Sequence, residues 1–162
     1  MNPAIQNPEE NTLKVKRRRT LGSVTVELAV VLPVLTMLLF GIIEFGLIFR
    51  DVMSLKEAAR EGVRTASVGA PKSEIIDRIT DTSPLLNTEE LVIEVQYRTY
   101  PWTAGEWYAL DEDNEYAITG DQVRVQITYP HRLMTGGLFP QLVDDPDNQT
   151  ITLTARGVMR RE

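Results

Sequence analysis

A chain of 162 residues holds material for one modest domain and excludes a large enzyme with a second one. Its formal charge of -6 is unevenly placed. Residues 1 to 22 hold Lys14, Lys16, Arg17, Arg18 and Arg19 against Glu9 and Glu10, and the other 12 basic and 21 acidic groups leave a net of -9. That balance argues against nucleic acid as a partner, since phosphate binding needs positive charge. The absence of cysteine excludes disulfides and thiolate metal sites.

After the basic stretch comes an apolar run. Of the 22 residues from Leu28 to Phe49, 15 are Leu, Ile, Val or Phe. On an insertion scale they contribute about -4.5 to -9 kcal/mol, more than the about +3 kcal/mol that a carboxylate costs at a helix centre, so Glu44 does not reverse the balance. Insertion wins. As a helix the run is about 33 Å long, enough for a hydrocarbon core of about 30 Å. Pro33 removes one helical hydrogen bond, which a membrane helix tolerates better than a soluble one. A buried helix of a soluble protein would need more apolar mass around it than this chain has. A cleaved secretory signal fits less well, because the run exceeds the usual apolar region of roughly 7 to 15 residues and continues into further helix. Arg50, Lys56, Arg60 and Arg64 follow the run, so the positive-inside bias is small and favours a cytoplasmic amino terminus.

Glu27 and Glu44 are 17 residues apart, about 25 Å along a helix, and point to different faces, so they form no paired acid/base site. Glu44 is expected to snorkel toward the outer interface or to make an interhelical contact. Glu27 gains a role if the chain is cut after Gly22. Ser23 would then carry the new α-amine, with Glu27 one helical turn inside. A carboxylate there stabilises its own helix start and can pair with the amine of a neighbouring helix, fixing lateral register in low dielectric.

Beyond the run, Val52, Leu55, Ala59, Gly62, Val63 and Ala66 form a narrow stripe at three- and four-residue spacing. Glu57 with Arg60 and Glu61 with Arg64 are spaced to pair. One helix is expected from about Val24 to Val68, ended by Gly69 and Pro71. A short helix follows at residues 73 to 80, with Ile75, Ile76 and Ile79 inward. Three alternating stretches then read as strands. Leu91, Ile93, Val95 and Tyr97 share one face of the first, Val123, Val125, Ile127 and Tyr129 one face of the second, and Ile151, Leu153 and Ala155 one face of the third. Strands apolar on one side and covered there by helix make a small α+β domain.

Two loops separate the strands. Asp111, Glu112, Asp113 and Glu115 in the first, and Asp144, Asp145 and Asp147 in the second, raise the question of calcium, but the glycine and final glutamate of an EF-hand loop are missing and a solvated acidic turn is expected. His131 has no second histidine for a zinc set and no nucleophile arranged around it, and reads as a surface or interface residue. Asn148 to Thr150 fits the short glycosylation triplet. No phosphate loop or catalytic constellation is present, so no catalytic residue and no cofactor are assigned.

The basic leader, the Gly22 to Ser23 junction, Glu27, the "VLPVL" centre, the "GIIEFG" exit and the "AAREGVR" continuation together resemble the TadE family, pseudopilin-like proteins of tight-adherence (Flp) type IV pili. The likeness is specific over roughly residues 17 to 69 and looser over the later strands, and Leu28 stands where the family commonly has an aromatic. The resemblance implies cleavage between Gly22 and Ser23 by a prepilin peptidase facing the cytoplasm. It also implies a registration role for Glu27, with Pro33 and Glu44 as membrane-helix positions. The implied organisation is a leader over 1–22, a transmembrane helix over 23–49, an extracytoplasmic helix extension over 50–69 and a small strand-rich extracytoplasmic region over 70–162, pilin-like in fold. The implied function is a noncatalytic minor pilin or pseudopilin in the bacterial inner membrane, with other pilin-like subunits, assembly proteins and the bilayer as partners. A membrane-anchored scaffold or adhesion protein outside any filament is the alternative, and a membrane-tethered hydrolase using the acidic loops a more distant one.

Overall fold

The computed structural model describes residues 9–99, 106–110, 117–135, 141 and 143–162. In chain order these form helix α1 (Glu9–Ser67), helix α2 (Lys72–Thr82), a 3₁₀ turn at Thr88–Glu90, and strands β1 (Val92–Arg98), β2 (Tyr108–Ala109), β3 (Gln122–Arg132) and β4 (Thr150–Arg160). The class is α+β, with one long apolar helix and a small antiparallel sheet. Two units divide the chain, Met1–Ile43 and Glu44–Glu162.

The described part of the first unit is helix alone. α1 begins at Glu9, well before the start expected near Val24. The Leu13 to Thr20 stretch is rich in Lys, Arg and Leu, all good helix formers, and the roughly 1 kcal/mol cost of Gly22 is too small to separate two helical stretches. From Val24 to Ile43 the large apolar side chains are between 42% and 67% exposed. These 20 residues make about 30 Å of helix, the thickness of a hydrocarbon core, and so much unpartnered apolar surface requires lipid or protein around it. Among the described residues this is the one helix long and apolar enough to cross a membrane.

The second unit starts inside the stretch assigned from sequence to the span. Glu44 is buried, and Ile48 and Val52 pack against a core formed by Leu55, Ala58, Ala59, Val63 and Ala66 of α1, Ile75 and Ile79 of α2, and the inner face of the sheet. The helical stripe therefore continues one turn further toward the amino terminus than its small residues suggest. α2 is a turn longer than expected, with Ile75 and Ile79 fully buried and Ile76 half-buried. Glu61 pairs with Arg64 at 3.9 Å but lies closer to Arg78 of α2, at 3.1 Å, so it ties the two helices together. Among the described residues Glu57 and Arg60 form no ion pair.

Gly69 ends α1 as expected. Its φ of +89° is a conformation that side chains disfavour, and its N–H returns to the Ala66 carbonyl at 3.1 Å while Ala70 N–H reaches Thr65.

The sheet runs β2-β1-β3-β4, antiparallel throughout. Three strands fall where alternation places them. The fourth, β2, is a two-residue edge strand too short for periodicity to reveal, and it holds Ala109 opposite Gln96 and Tyr108 opposite Tyr97. Val95, Val123, Val125, Ile127, Leu153 and Ala155 are buried against the helices. Gly157 of β4 lets the sheet approach α1 closely: a Cβ there would lie 2.8 Å from the Ala59 carbonyl oxygen and 2.9 Å from Val63 Cγ1.

The opposite sheet face is polar and ordered by register. Arg98 stands across from Gln122, Arg124 from Gln96, and Arg156 from Gln126. In each pair the guanidinium donates to the glutamine amide oxygen, at 2.6 Å for Arg98 Nη2 and 2.8 Å for Arg124 Nε and Arg156 Nη2. The Trp107 ring, just before β2, lies beneath two of these cations, 4.7 Å from Arg98 and 4.2 Å from Arg124.

Candidate functional site

Gly22 and Ser23 lie inside α1, and the space around Gly22 is open: nothing comes within 4 Å of where a Cβ would be. Glu27 is exposed. Pro33 stands in the helix interior, and three residues on Thr36 Oγ1 donates to the Leu32 carbonyl at 2.8 Å. Gly22, Ser23, Glu27 and Pro33 follow one another along a single helix.

Glu44 is different. Its side chain accepts three hydrogen bonds from the turn after β3: Met134 N–H to Oε1 at 3.0 Å, and Thr135 N–H and Oγ1 to Oε2 at 3.0 and 2.8 Å. The snorkelling carboxylate expected from sequence is instead enclosed by its own unit, at 3% exposure. Burying a carboxylate is costly unless it is fully hydrogen-bonded, and three donors meet that need.

Two turns along the helix, Asp51 is buried as well. Its Oδ1 accepts from Arg50 Nε at 2.9 Å, and its Oδ2 lies 2.6 Å from His131 Nδ1. Against an ionised Asp51, Nδ1 carries the proton and donates. His131, read from sequence as a surface or interface residue, is 5% exposed. Its Nε2 sits 3.9 Å from Glu44 Oε1, an ion-pair distance but not a hydrogen bond, and has no hydrogen-bond partner among the described residues. The reason for the burial is register: His131 falls on the inward side of β3, in line with Ile127 and Tyr129 and opposite Ile151.

One sequence signal could have found this cluster. Glu44 and Asp51 are seven residues apart, two helical turns, and lie on the same side as Ile48, Val52 and Leu55. A charged pair on the apolar stripe of a helix calls for a cationic or hydrogen-bonding partner from the rest of the fold. Which residue supplies it was not readable, because His131 is 80 positions away from Asp51.

The chemistry of the cluster is that of a fastening. The imidazole faces carboxylates on both sides, and Thr135, the hydroxyl bound to Glu44, donates into that carboxylate instead of facing the imidazole as a nucleophile. Among the described residues no group of His, Asp and Glu is arranged to hold a metal. Asp144 and Asp145 of the second acidic loop accept local hydrogen bonds: Asp144 Oδ2 from Thr152 N–H at 2.8 Å, and Asp145 from Asp147 N–H at 3.0 Å and from the Asn148 side chain at 2.8 Å. The Asn148 side-chain bond is the main cause holding the Asp145 carboxyl below its ordinary range. A cleft beside this loop is lined in part by Glu90, Tyr129, Arg132, Asp145 and Asn148. The first acidic loop, Asp111 to Glu115, lies outside the described residues.

With this geometry in place, comparison with known proteins is informative over one segment. The family model for TadE-like protein matches residues 22–64. The matched stretch begins at Gly22, runs through the exposed apolar helix and ends within the buried stripe of α1, so it contains Glu27, Pro33, Glu44 and Asp51 but no strand. No curated protein and no solved structure matches the chain. The chain thus carries a TadE-like segment on a single apolar helix suited to membrane anchoring, joined to a small α+β unit.

Proposed function

We infer that this protein is a membrane-anchored pseudopilin or minor pilin that supports assembly of a tight-adherence (Flp) type IV pilus, with α1 in the inner membrane, the amino terminus cytoplasmic and the strand-rich unit outside. The observation that carries this reading is the TadE-like match laid on the exposed apolar helix. A pilin-like arrangement, a long helix continuing onto an antiparallel sheet, belongs to the same reading, as do prepilin peptidase and other pilin-like subunits as partners. The buried cluster at Glu44, Asp51 and His131 supports a structural role, because it fixes the end of β3 to the helix and offers no reacting group to a substrate.

The test is deletion of the gene in its host. Surface filaments should be abolished or sharply reduced while the major pilin precursor stays stable. Normal filament number, length and adherence, with no related pseudopilin able to compensate, would favour an extracytoplasmic scaffold outside any filament.

A further inference from the structure

The outer sheet face holds three arginines whose acceptors, among the described residues, are neutral amides. Arg98, Arg124 and Arg156 lie on successive strands and successive outward rows, so they step diagonally across the sheet at about 8 Å intervals, given strands about 4.8 Å apart and outward rows about 6.7 Å apart. Glutamine orients a guanidinium without cancelling its charge. Arg124 feels the crowding: burial first, then Arg156 and, more weakly, Arg98 lower its pKa, and Glu94 alone opposes them. The side chains are held in place before any partner arrives, which cuts the ordering cost of association, and Trp107 beneath Arg98 and Arg124 adds the aromatic and arginine composition typical of interface centres.

The complementary charge lies on the same chain but out of its own reach. Glu74, Asp77 and Asp81 are exposed along one side of α2. α2 is fixed to the other side of the sheet by Ile75 and Ile79, so its carboxylates cannot fold back onto the arginines of the same molecule.

We propose that the outer sheet face docks the acidic side of α2 from a second copy of this chain. The two surfaces differ, so the contact is heterologous: each copy offers a sheet to one neighbour and a helix to the next, and the series need not close. Anchoring in a shared bilayer raises the local concentration of copies and allows a weak contact to operate. The contact rests on the second unit alone and does not depend on the pilus reading.

A chain without cysteine makes the test direct. Ser73→Cys beside the α2 carboxylates and Thr154→Cys beside Arg156 are introduced into separate full-length chains, which are co-reconstituted in bilayers and oxidised. A mixed S73C–T154C disulfide is expected, with little cross-linking of either variant alone. Arg124→Glu with Arg156→Glu in the T154C chain should reduce its yield at least tenfold, and Asp77→Arg with Asp81→Arg in the S73C chain should restore it, which misfolding would not permit. Absence of the mixed disulfide, or a T154C–T154C product indicating a symmetric pair, would overturn the proposal. So would a mixed product that appears only after Asp111, Glu112, Asp113 and Glu115 are neutralised, which would give the face to the chain's own acidic segment. Protection of T154C from a water-soluble maleimide in anionic but not neutral vesicles, with no disulfide, would give it to lipid headgroups.

Discussion

Asp51 Oδ2 and His131 Nδ1 lie 2.6 Å apart in the interior of the second unit, joining residues 80 positions apart. One stands on α1 and the other on β3, so a single hydrogen bond links the helix that leaves the apolar run to an inner strand of the sheet. Because both groups are buried, removing either strands the other away from water.

His131→Ala should therefore destabilise the second unit by about 2–4 kcal/mol, since among the described residues Asp51 then keeps the half-exposed Arg50 alone as a partner. Denaturant unfolding of the full chain in micelles, followed by tryptophan fluorescence, measures it. The Asp51→Ala, His131→Ala double mutant should lose less than the sum of the singles, with a coupling of about 0.5–3 kcal/mol. Additive losses would mean that the two residues act independently.

Glu44→Ala should leave the Met134 and Thr135 N–H groups without their acceptor, at a cost of about 1–3 kcal/mol. Amide exchange at residues 134 and 135 should accelerate while exchange around Leu55 and Ala59 changes little. Membrane retention should be unaffected or improved, because one charge is gone from the end of the apolar run. A carboxylate that merely reached toward the interface would give unchanged exchange at both amides.

Two glycines of the helix-packing layer should respond differently to alanine. At Gly157 the new Cβ meets backbone, the Ala59 carbonyl at 2.8 Å, and β4 or α1 has to move. At Gly62 it meets the buried Ile79 side chain, Cγ1 at 2.6 Å and Cδ1 at 2.7 Å, which has to shift, but alanine regains about 1 kcal/mol of helix propensity. Gly157→Ala should cost about 1–3 kcal/mol and Gly62→Ala less, with thermal unfolding of the two variants in one detergent as the comparison.

These contacts show what could be read from the chain and what could not. The period-2 alternation of Val123, Val125 and Ile127 set which strand face is buried, and the spacing of Leu55, Ala59, Val63 and Ala66 set which helix side meets it. Both are local patterns that follow from the side-chain repeat of one element. His131 continues the β3 alternation, yet its residue type outweighed its position in the reading. The Glu44 to Thr135 bonds and the three Arg–Gln pairs depend on strand register and on a turn's return to the helix, which no local repeat encodes. Glu27 and Gly22 stand apart from both groups, because their significance came from resemblance and not from contacts within the fold.

Asp145 gives a pH test outside the apolar segment. Its pKa is lowered from the ordinary 3.8, first by the Asn148 side-chain hydrogen bond and then by the Asn148 N–H, against an opposing effect of burial, with the Asp147 N–H adding the least. A lowered folded-state pKa means that the loop's stabilisation is complete above 3.8 and is lost as pH falls through the lower folded value. Carboxyl-carbon NMR titration should show Asp145 below 3.8, and Asn148→Ala should bring it back toward that value.

The last prediction concerns the amino-terminal series. If the chain is a pseudopilin, mass determination of the mature protein should find Ser23 as its first residue, and the intact leader persisting in cells with an active prepilin peptidase would sink that expectation. Gly22 is the weakest helix former between Leu13 and Ala29, and its open surroundings leave its backbone accessible to the peptidase once the local turn opens. With the new α-amine at Ser23, Glu27 lies one turn away on an exposed stretch of α1, free to pair with the amine of an adjacent helix. Glu27→Ala removes that pairing and leaves every apolar residue in place, so insertion and processing should continue. Cross-linking to other pilin-like subunits should fall by far more than membrane retention, at matched protein levels. Equal cross-linking in mutant and parent would show that lateral register is set elsewhere, with the charged faces of α2 and the outer sheet as the next residues to change.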